Sequence, residues 1–143
     1  MEIVHSIHSW WAYVTLGLLL LAVINFTKSW FQKKEYSAND LRLALFTLIA
    51  SHIQLLIGFA WYFMSPAYKQ MKELGMGAAM KDSALRKLVV EHPIMMILAI
   101  ILITIGFSKH KNKPHDKLFK TLAIYYGIAL VFVLAMIPWD LWF

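Results

Sequence analysis

Four long apolar stretches leave this chain little choice of fold. They run over residues 7–26, 43–64, 88–107 and 122–138, and each is near the ~20 residues that an α-helix needs to cross a bilayer. In lipid the backbone has no water to bond with, so an unbroken helix is the stable form of such a stretch. The connectors are too short for a separate soluble domain. The sequence therefore predicts a single all-α integral membrane domain, an up-down bundle of four helices.

Composition supports the membrane class and limits the chemistry. Hydrophobic residues make up 60% of the 143 positions and charged residues 15%, which lies outside the range of ordinary soluble domains. The first stretch lacks the basic start and small-residue cleavage site of a secretory signal, so we expect a retained transmembrane helix. Cysteine is absent, and any metal would have to be held by histidine, methionine or carboxylate side chains.

Basic residues are distributed unevenly among the connectors. The first and third connectors carry nine and the second carries five: Lys28, Lys33, Lys34 and Arg42; Lys109, Lys111, Lys113, Lys117 and Lys120; and Lys69, Lys72, Lys81, Arg86 and Lys87. The positive-inside rule therefore predicts that the first and third connectors are cytoplasmic and that both termini lie outside. The net charge of +6 then reflects cytoplasmic loops facing the anionic lipid bilayer, and no nucleic-acid-binding motif is present.

Local signals mark the ends of the predicted helices. Candidate caps and breaks are Ser37, Asn39 and Asp40 before the second helix, Pro66 at its end, Gly75 and Gly77 as a break, and Asp82 or Ser83 before the third helix. The segment before Gly75 is expected to form a short amphipathic turn on the outer surface. Aromatic residues typical of a membrane interface are concentrated at the outer face: Trp10, Trp11, Tyr13, Trp61, Tyr62, Trp139 and Trp142.

Polar and small residues recur at helical spacing within the first three stretches. The three faces are His8, Trp11, Thr15, Leu18, Ala22 and Asn25; Thr47, Ser51, Gln54, Gly58 and Trp61; and His92, Met96, Ala99, Ile103 and Gly106. A polar group in hydrocarbon must find a partner, so we expect these faces to turn into the bundle. The fourth stretch has no polar side chain between Gly127 and Ile137 and is expected to form an apolar packing wall.

Four of the six histidines lie at or within the predicted membrane: His5, His8, His52 and His92. The other two, His110 and His115, fall in a lysine-rich connector and are expected to be solvated. An intramembrane imidazole costs free energy unless it has a partner. Neutral imidazole is also a common ligand of haem iron, and bundle cores build cofactor sites from facing side chains. These histidines are therefore candidate ligands.

The depth of each histidine in the membrane, counted along its helix, decides which histidines can share one ligand. At ~1.5 Å per residue, His8 and His92 lie within about one turn of each other, on the first and third helices, which face diagonally in an up-down bundle. His52 lies roughly one turn deeper than His92 and is the alternative partner. Pro93 removes the amide that would bond to the carbonyl of Val89, so we expect a kink that turns His92 toward the bundle axis. Glu91 is expected to reach the headgroups or to pair with a neighbouring basic residue.

Three motifs carry a resemblance to a known group of proteins. They read IHSWWAY, SHIQLLIGFAWYF and VEHPIMMILAIILITIG. The chain resembles, over nearly its whole length, small four-helix membrane proteins of Bacteroidetes-type bacteria that are described as cytochrome b. The resemblance implies a haem-bearing helical bundle, with His8, His52 and His92 as the motif histidines. The fourth helix carries no histidine, in contrast to two-haem transmembrane cytochromes, so at most one haem is expected.

These expectations together describe a membrane b-type cytochrome-like electron-transfer protein of a bacterial cytoplasmic membrane. One haem b would lie between histidines of facing helices near the outer leaflet, and electrons would pass from a quinol to a partner protein, within a homo- or hetero-oligomer or alone. One alternative is a cofactor-free structural or assembly subunit of a membrane complex, whose histidines bond to neighbouring hydroxyls. The other is a non-haem copper or zinc site drawn from His5, His8, His52, His92 and Glu91.

Overall fold

The computed structural model describes residues 2–139, and these residues are helical apart from short connections. In chain order the elements are α1 (Glu2–Gln32), α2 (Ala38–Met64), α3 (Pro66–Leu74), α4 (Met76–Lys81), α5 (Ser83–Arg86), a π-helical turn (Lys87–Glu91), α6 (His92–His110), a 3-10 turn (His115–Lys117) and α7 (Leu118–Met136). Trp142, which was assigned to the outer aromatic belt, lies outside the described residues.

Four segments are long and apolar enough to cross a membrane, as the sequence predicts. They are Glu2–Gln32, Ala38–Met64, Ser83–His110 and His115–Met136. The first three predicted stretches lie inside these segments, whereas the last helix ends at Met136 and not at Pro138. The helices extend beyond the apolar stretches because helical hydrogen bonding continues until a cap or a breaker stops it. The chain thus has the helical, multi-pass character of a membrane protein.

The four long helices have a closed order of neighbours. α1 packs against α2 and α7, and α6 packs against the same two helices. α1 and α6 therefore occupy opposite corners of the bundle. Small residues sit fully buried where the helices meet, one on each long helix: Ala22, Ala44, Ala99 and Ala129. Side chains this small let helix backbones approach closely, which is the main packing device available in lipid.

The inward faces agree with the polar stripes read from the sequence. On α2, Thr47 and Ser51 are buried, and each bonds to the carbonyl one turn earlier. Trp11 and Thr15 of α1 both donate to the carbonyl of Ala50, at 2.9 and 3.3 Å. These four polar side chains are thus satisfied by backbone oxygens, as a low-dielectric interior requires.

Asp40 closes the first turn of α2 and ties it to α1. Its Oδ2 accepts from the backbone N–H and the hydroxyl of Ser37, both at 2.9 Å, and its Oδ1 accepts from Asn25 Nδ2 at 3.0 Å. Lys34 Nζ lies 3.0 Å from Oδ2. The side chain of Asp40 is 3% exposed, so its charge is buried but surrounded by donors. Ser37 is the residue before α2 begins, as predicted.

The second connector is not an irregular loop but consists of three short helices, α3, α4 and α5. α3 begins at Pro66 and is followed by Gly75, whose φ of 87° separates it from α4. Asp82 accepts from the backbone N–H groups of Ala84 and Leu85 and so starts α5. Both the break at Gly75 and the cap at Asp82 were predicted. Ala79, Leu85 and Val89 form a small buried cluster beneath this connector.

His110 is buried, and the expectation that it is solvated was wrong. It is the last residue of α6 and is 1% exposed. Its Nδ1–H donates to the carbonyl of Phe107, and its Nε2 accepts from the hydroxyl of Tyr36 at 2.8 Å. Burial, together with the nearby charge of Asp40, raises the pKa of Tyr36 to about 12, so this hydroxyl keeps its proton. The lysine-rich surroundings of His110 in the sequence concealed this inward bond.

Candidate functional site

His8 and His92 meet inside the bundle from its opposite corners. Their ring centroids are 6.5 Å apart and their planes are nearly perpendicular, at 83°. Both side chains are half-buried. His8 lies on the polar face of α1, and His92 is the first residue of α6. Two imidazoles from helices that are not neighbours thus face a common point.

The backbone before His92 sets the direction of its side chain. Lys87–Glu91 forms a π-helical turn, and the N–H of His92 bonds to the carbonyl of Lys87, five residues earlier. Pro93 follows and has no N–H, which disturbs regular α-helical bonding at this point. A π-helical turn rotates the residues after it relative to those before it, and such turns are common at functional sites. The sequence predicts a kink at Pro93; the structure has a π-helical turn, Lys87–Glu91, directly before His92 and Pro93.

Tyr62 compensates for the missing amide of Pro93. In a regular α-helix the N–H of residue 93 would bond to the carbonyl of Val89. That carbonyl instead accepts from the hydroxyl of Tyr62 on α2 at 2.9 Å. Val89 is buried, so an unpaired oxygen here would be costly. The bond joins α2 to the turn that carries His92.

The proton of His92 lies on its Nδ1. This nitrogen is 2.8 Å from the carbonyl oxygen of Met136, and because a carbonyl can only accept, Nδ1 carries the hydrogen. Met136 is the last residue of α7, and the final carbonyls of a helix have no partner within that helix. In a neutral imidazole the other nitrogen, Nε2, is then unprotonated. His92 therefore offers a free lone pair at Nε2.

The proton of His8 lies on the opposite nitrogen. Gln54 Nε2 is 2.9 Å from the carbonyl oxygen of His8 and 3.1 Å from His8 Nδ1. The atom facing the carbonyl must be the amide nitrogen, and its second hydrogen points to Nδ1, which is then the acceptor. Neutral His8 consequently carries its hydrogen on Nε2. The imidazole also lies over Gly58, where an added Cβ would be 3.4 Å from His8 Cε1.

One polar atom beside this pair is left over. Gln54 Oε1 is buried and has no hydrogen-bond partner among residues 2–139. Buried amide oxygens are nearly always satisfied, and an unsatisfied one is often found where a ligand, a water or a second conformation completes the site. The two imidazoles thus present an N–H on His8 Nε2 and a free lone pair on His92 Nε2. Beside them lies an unused acceptor, Gln54 Oε1.

The other candidate ligands lie apart from this pair. His5 stacks on Trp61, with ring centroids 4.4 Å apart and an interplanar angle of 16°. His52 is on the exposed side of α2, where Nδ1 bonds to the carbonyl of Leu48 at 2.8 Å and Nε2 lies 3.5 Å from Thr104 Oγ1. Glu91 accepts from Arg86 at 2.9 Å, one of the pairings expected from the sequence.

The arrangement does not form a non-haem metal site of the kind weighed above. Within the described part of the chain, no group of three or more His, Cys, Asp or Glu side chains could hold a metal ion. Zinc and copper sites in proteins use three or four such ligands. The structure therefore does not assemble His5, His8, His52, His92 and Glu91 into one metal-binding group, because only His8 and His92 converge.

Sequence reasoning missed the groups that orient the two imidazoles. Gln54 was placed on the inward face of α2 but not paired with His8, and nothing in the pattern indicated the carbonyl of Met136. Gln54 and Gly58 are one turn apart on the same face as Trp61, and an intramembrane glutamine was the available signal for a hydrogen-bonded partner.

The fold and this pair define a class: a four-helix protein of membrane-spanning character with two imidazoles facing each other in its interior. Comparisons of the chain with models of protein families, with curated proteins and with solved structures found no match. The chemistry of the site must therefore be argued from its own geometry.

Proposed function

We propose that this chain is a membrane b-type cytochrome-like electron-transfer protein that holds one haem b through His8 and His92. The observation that carries the proposal is the meeting of these two imidazoles, with ring centroids 6.5 Å apart, from α1 and α6. Haem of this type takes its ligands from two histidines, so it does not need the three-residue group that zinc or copper requires. When bound, haem supplies a one-electron iron couple.

His92 fits the role of a residue that would hold the haem. A histidine that ligates metal usually donates its other ring N–H to a carboxylate or a backbone carbonyl, which fixes the tautomer and the ring direction. The bond from His92 Nδ1 to Met136 provides this, and it leaves Nε2 free. The π-helical turn and the Tyr62 hydroxyl hold the backbone that presents this ring.

His8 fits the role if its hydrogen moves to Nδ1. The buried, unpartnered Oε1 of Gln54 is the acceptor that this tautomer needs, and it belongs to the same amide that already contacts His8. The donor set of the site is therefore neutral imidazole nitrogen on both sides, with no thiol or carboxylate between them. Neutral nitrogen ligands in an apolar bundle are suited to low-spin haem iron.

The placement of the chain in the membrane is part of the same proposal. The bundle is proposed to be up-down in the cytoplasmic membrane of a bacterium. Both termini would lie outside, because nine of the 14 basic residues fall in the first and third connectors. His8 and His92 then lie toward the outer leaflet. A quinol in the bilayer is the proposed electron donor and a second protein the acceptor, within a homo- or hetero-oligomer or through transient contact.

One specific observation favours a second candidate, a cofactor-free structural or assembly subunit. Each imidazole joins two helices through a hydrogen bond: His8 joins α1 to α2 through Gln54, and His92 joins α6 to α7 through Met136. Bonds of this kind stabilise helix packing in lipid without any ligand. In that case the histidines would be needed for stability and not for haem binding.

A visible spectrum of the detergent-purified protein, expressed with an adequate haem supply, separates these candidates. The proposal expects a sharp low-spin haem spectrum with one haem per chain, and metal analysis should find iron without stoichiometric copper or zinc. His92→Ala should abolish haem retention, and His8→Ala should abolish it or convert the iron to high spin.

The matched control is His52→Ala, which removes another intramembrane imidazole that also bonds to a backbone carbonyl. This variant and His5→Ala should keep the wild-type spectrum. If His52→Ala alone eliminates haem, the ligand pair is different. If the wild-type protein takes up no haem at all, the cytochrome proposal fails and the structural candidate replaces it.

A further inference from the structure

We infer that Gln54 is a positioning residue that sets which nitrogen of His8 carries the hydrogen, and so decides whether His8 can act as a ligand. The assignment of the hydrogen follows from the contacts of Gln54 with His8 alone. Its consequence for iron binding rests on the proposed function. Gln54 itself touches His8 and no ligand.

Gln54 holds His8 in the form that cannot ligate through Nε2. The single amide nitrogen of Gln54 serves both the carbonyl and Nδ1 of His8, at 2.9 and 3.1 Å. Nε2 therefore carries the hydrogen, and a protonated imidazole nitrogen has no lone pair for a metal. The cost of this arrangement is the buried Oε1, which has no partner within the described chain.

A small movement of the same amide gives every polar atom a partner. If Nε2 of Gln54 stays on the carbonyl of His8 while Oε1 swings onto Nδ1, then Nδ1–H donates to Oε1. Nε2 of His8 is then unprotonated. Gln54 Oε1 then becomes the acceptor that a ligating histidine requires at its other ring nitrogen. Ligand binding at His8 is thereby coupled to the orientation of one glutamine amide.

No other side chain of α2 is placed to do this. One turn further along α2 is Gly58, whose missing Cβ lets the His8 ring rest against the helix. One turn earlier, Ser51 donates to the carbonyl of Thr47 at 2.7 Å. Removing the Gln54 amide therefore removes the side chain of α2 that bonds to Nδ1 of His8, and a buried N–H without an acceptor is unfavourable.

The first test uses the haem-free protein and does not depend on the proposed function. Histidine side chains are labelled with 15N, and the His8 signals are assigned by their loss in His8→Ala. The nitrogen shifts should report hydrogen on Nε2 and a bare, hydrogen-bonded Nδ1. A His8 signal with hydrogen on Nδ1 in the free protein would overturn the inference, whatever the protein binds.

The second test uses haem-loaded protein and two substitutions that act in opposite directions. Gln54→Met has a similar volume but no acceptor, and haem affinity should fall about 10- to 100-fold, the usual effect of losing a partner of a metal ligand, with a more positive midpoint potential. Gln54→Glu loses the bond to the carbonyl of His8 but supplies a stronger acceptor to Nδ1–H. It should therefore retain haem and shift the potential to more negative values. Damage to packing alone would not give opposite shifts.

The matched control is Gln70→Glu, the same change on the exposed surface of α3. It should leave affinity and potential at wild-type values. If wild-type protein binds haem but both Gln54 variants behave like Gln70→Glu, the role of Gln54 is wrong and the proposed function stands. If wild-type protein binds no haem, the proposed function fails, while the 15N measurement still tests the tautomer.

Discussion

Single polar groups decide the geometry around His92. Pro93 deprives the carbonyl of Val89 of its backbone donor, and Tyr62, 27 residues earlier, replaces that donor with its hydroxyl. The loss of the amide could be predicted from the sequence, since it follows from proline alone. The identity of the replacement could not, because it depends on how α2 is rotated against α6. The same limit applies to Gln54 and His8.

At the residue scale we predict that Tyr62→Phe destabilises the protein. The change leaves a buried carbonyl unpaired and should lower the free energy of unfolding by about 1–3 kcal/mol. It should also loosen the turn that presents His92. Thermal unfolding in detergent micelles, followed by circular dichroism, measures the first effect. Under the proposed function, the haem spectrum reports the second.

Tyr68→Phe is the control for this prediction. Tyr68 packs against the ring of Tyr62, with centroids 5.3 Å apart, but within residues 2–139 its hydroxyl makes no hydrogen bond. The same atom is removed from nearly the same place without breaking a bond, so unfolding should be unchanged. Equal destabilisation by both variants would show that the Tyr62–Val89 bond contributes nothing measurable.

At the element scale, the buried face of α6 could be predicted from its sequence. Ala99, Ile103 and Gly106 recur at helical spacing, and all three are buried where α6 faces its neighbours. The contacts made at the end of α6 could not be predicted in this way. His110 lies beyond the apolar stretch of α6, and its partner Tyr36 comes from a connector, so neither hydropathy nor periodicity indicated the contact. Periodicity indicates which face of a helix is buried, but it does not indicate which residues a connector contacts.

Gly106 offers a sharp test of the packing between α6 and α7. A Cβ built at this position would lie 2.4 Å from Cβ of Tyr125, far inside normal contact distance. Gly106→Ala should therefore force the two helices apart and cost about 1–3 kcal/mol through overpacking. The unfolding temperature in detergent is the measurement.

Gly127→Ala provides the matched comparison on α7. An added Cβ there meets no atom within 4 Å in the described structure, and alanine favours a helix over glycine by about 1 kcal/mol. This variant should be neutral or slightly stabilising. If the two alanine variants have the same effect, α6 and α7 do not pack closely at Gly106.

The junction of α1 and α2 makes a separate prediction. Asp40→Ala would leave the donors of Asn25, Lys34 and Ser37 without their common acceptor. Hydrogen bonds to charged groups contribute about 1.5–3 kcal/mol each, and a buried donor without a partner adds to the cost. We expect a lower unfolding temperature from Asp40→Ala and no change from Asp116→Ala, an exposed acid in the other lysine-rich connector. Equal effects would mean that the cluster is not structural.

At the scale of the whole molecule, hydropathy was enough to find the four long helices, because the length of an apolar stretch is set by the bilayer. The sequence also predicts that the first and third long helices lie diagonally, and the contacts between helices agree with that order of neighbours, α1, α2, α6 and α7. That order is what brings His8 and His92 together, while His52 faces outward from α2. Depth along each helix could be counted in the sequence, but rotation of the second helix decided which histidine turned inward.

The direction of the bundle in the membrane is the last prediction. The chain has no cysteine, so single cysteines placed at Lys33, Lys72 and Lys111, all exposed, can be read without background. Because basic residues favour the first and third connectors, cysteines at positions 33 and 111 should be shielded from an impermeant thiol reagent in intact cells, and one at position 72 should react. Permeabilised cells should label all three. The opposite pattern would keep the up-down bundle but put His8 and His92 on the cytoplasmic side. Labelling of positions 33 and 111 on different sides would mean that the four helices do not all span the membrane.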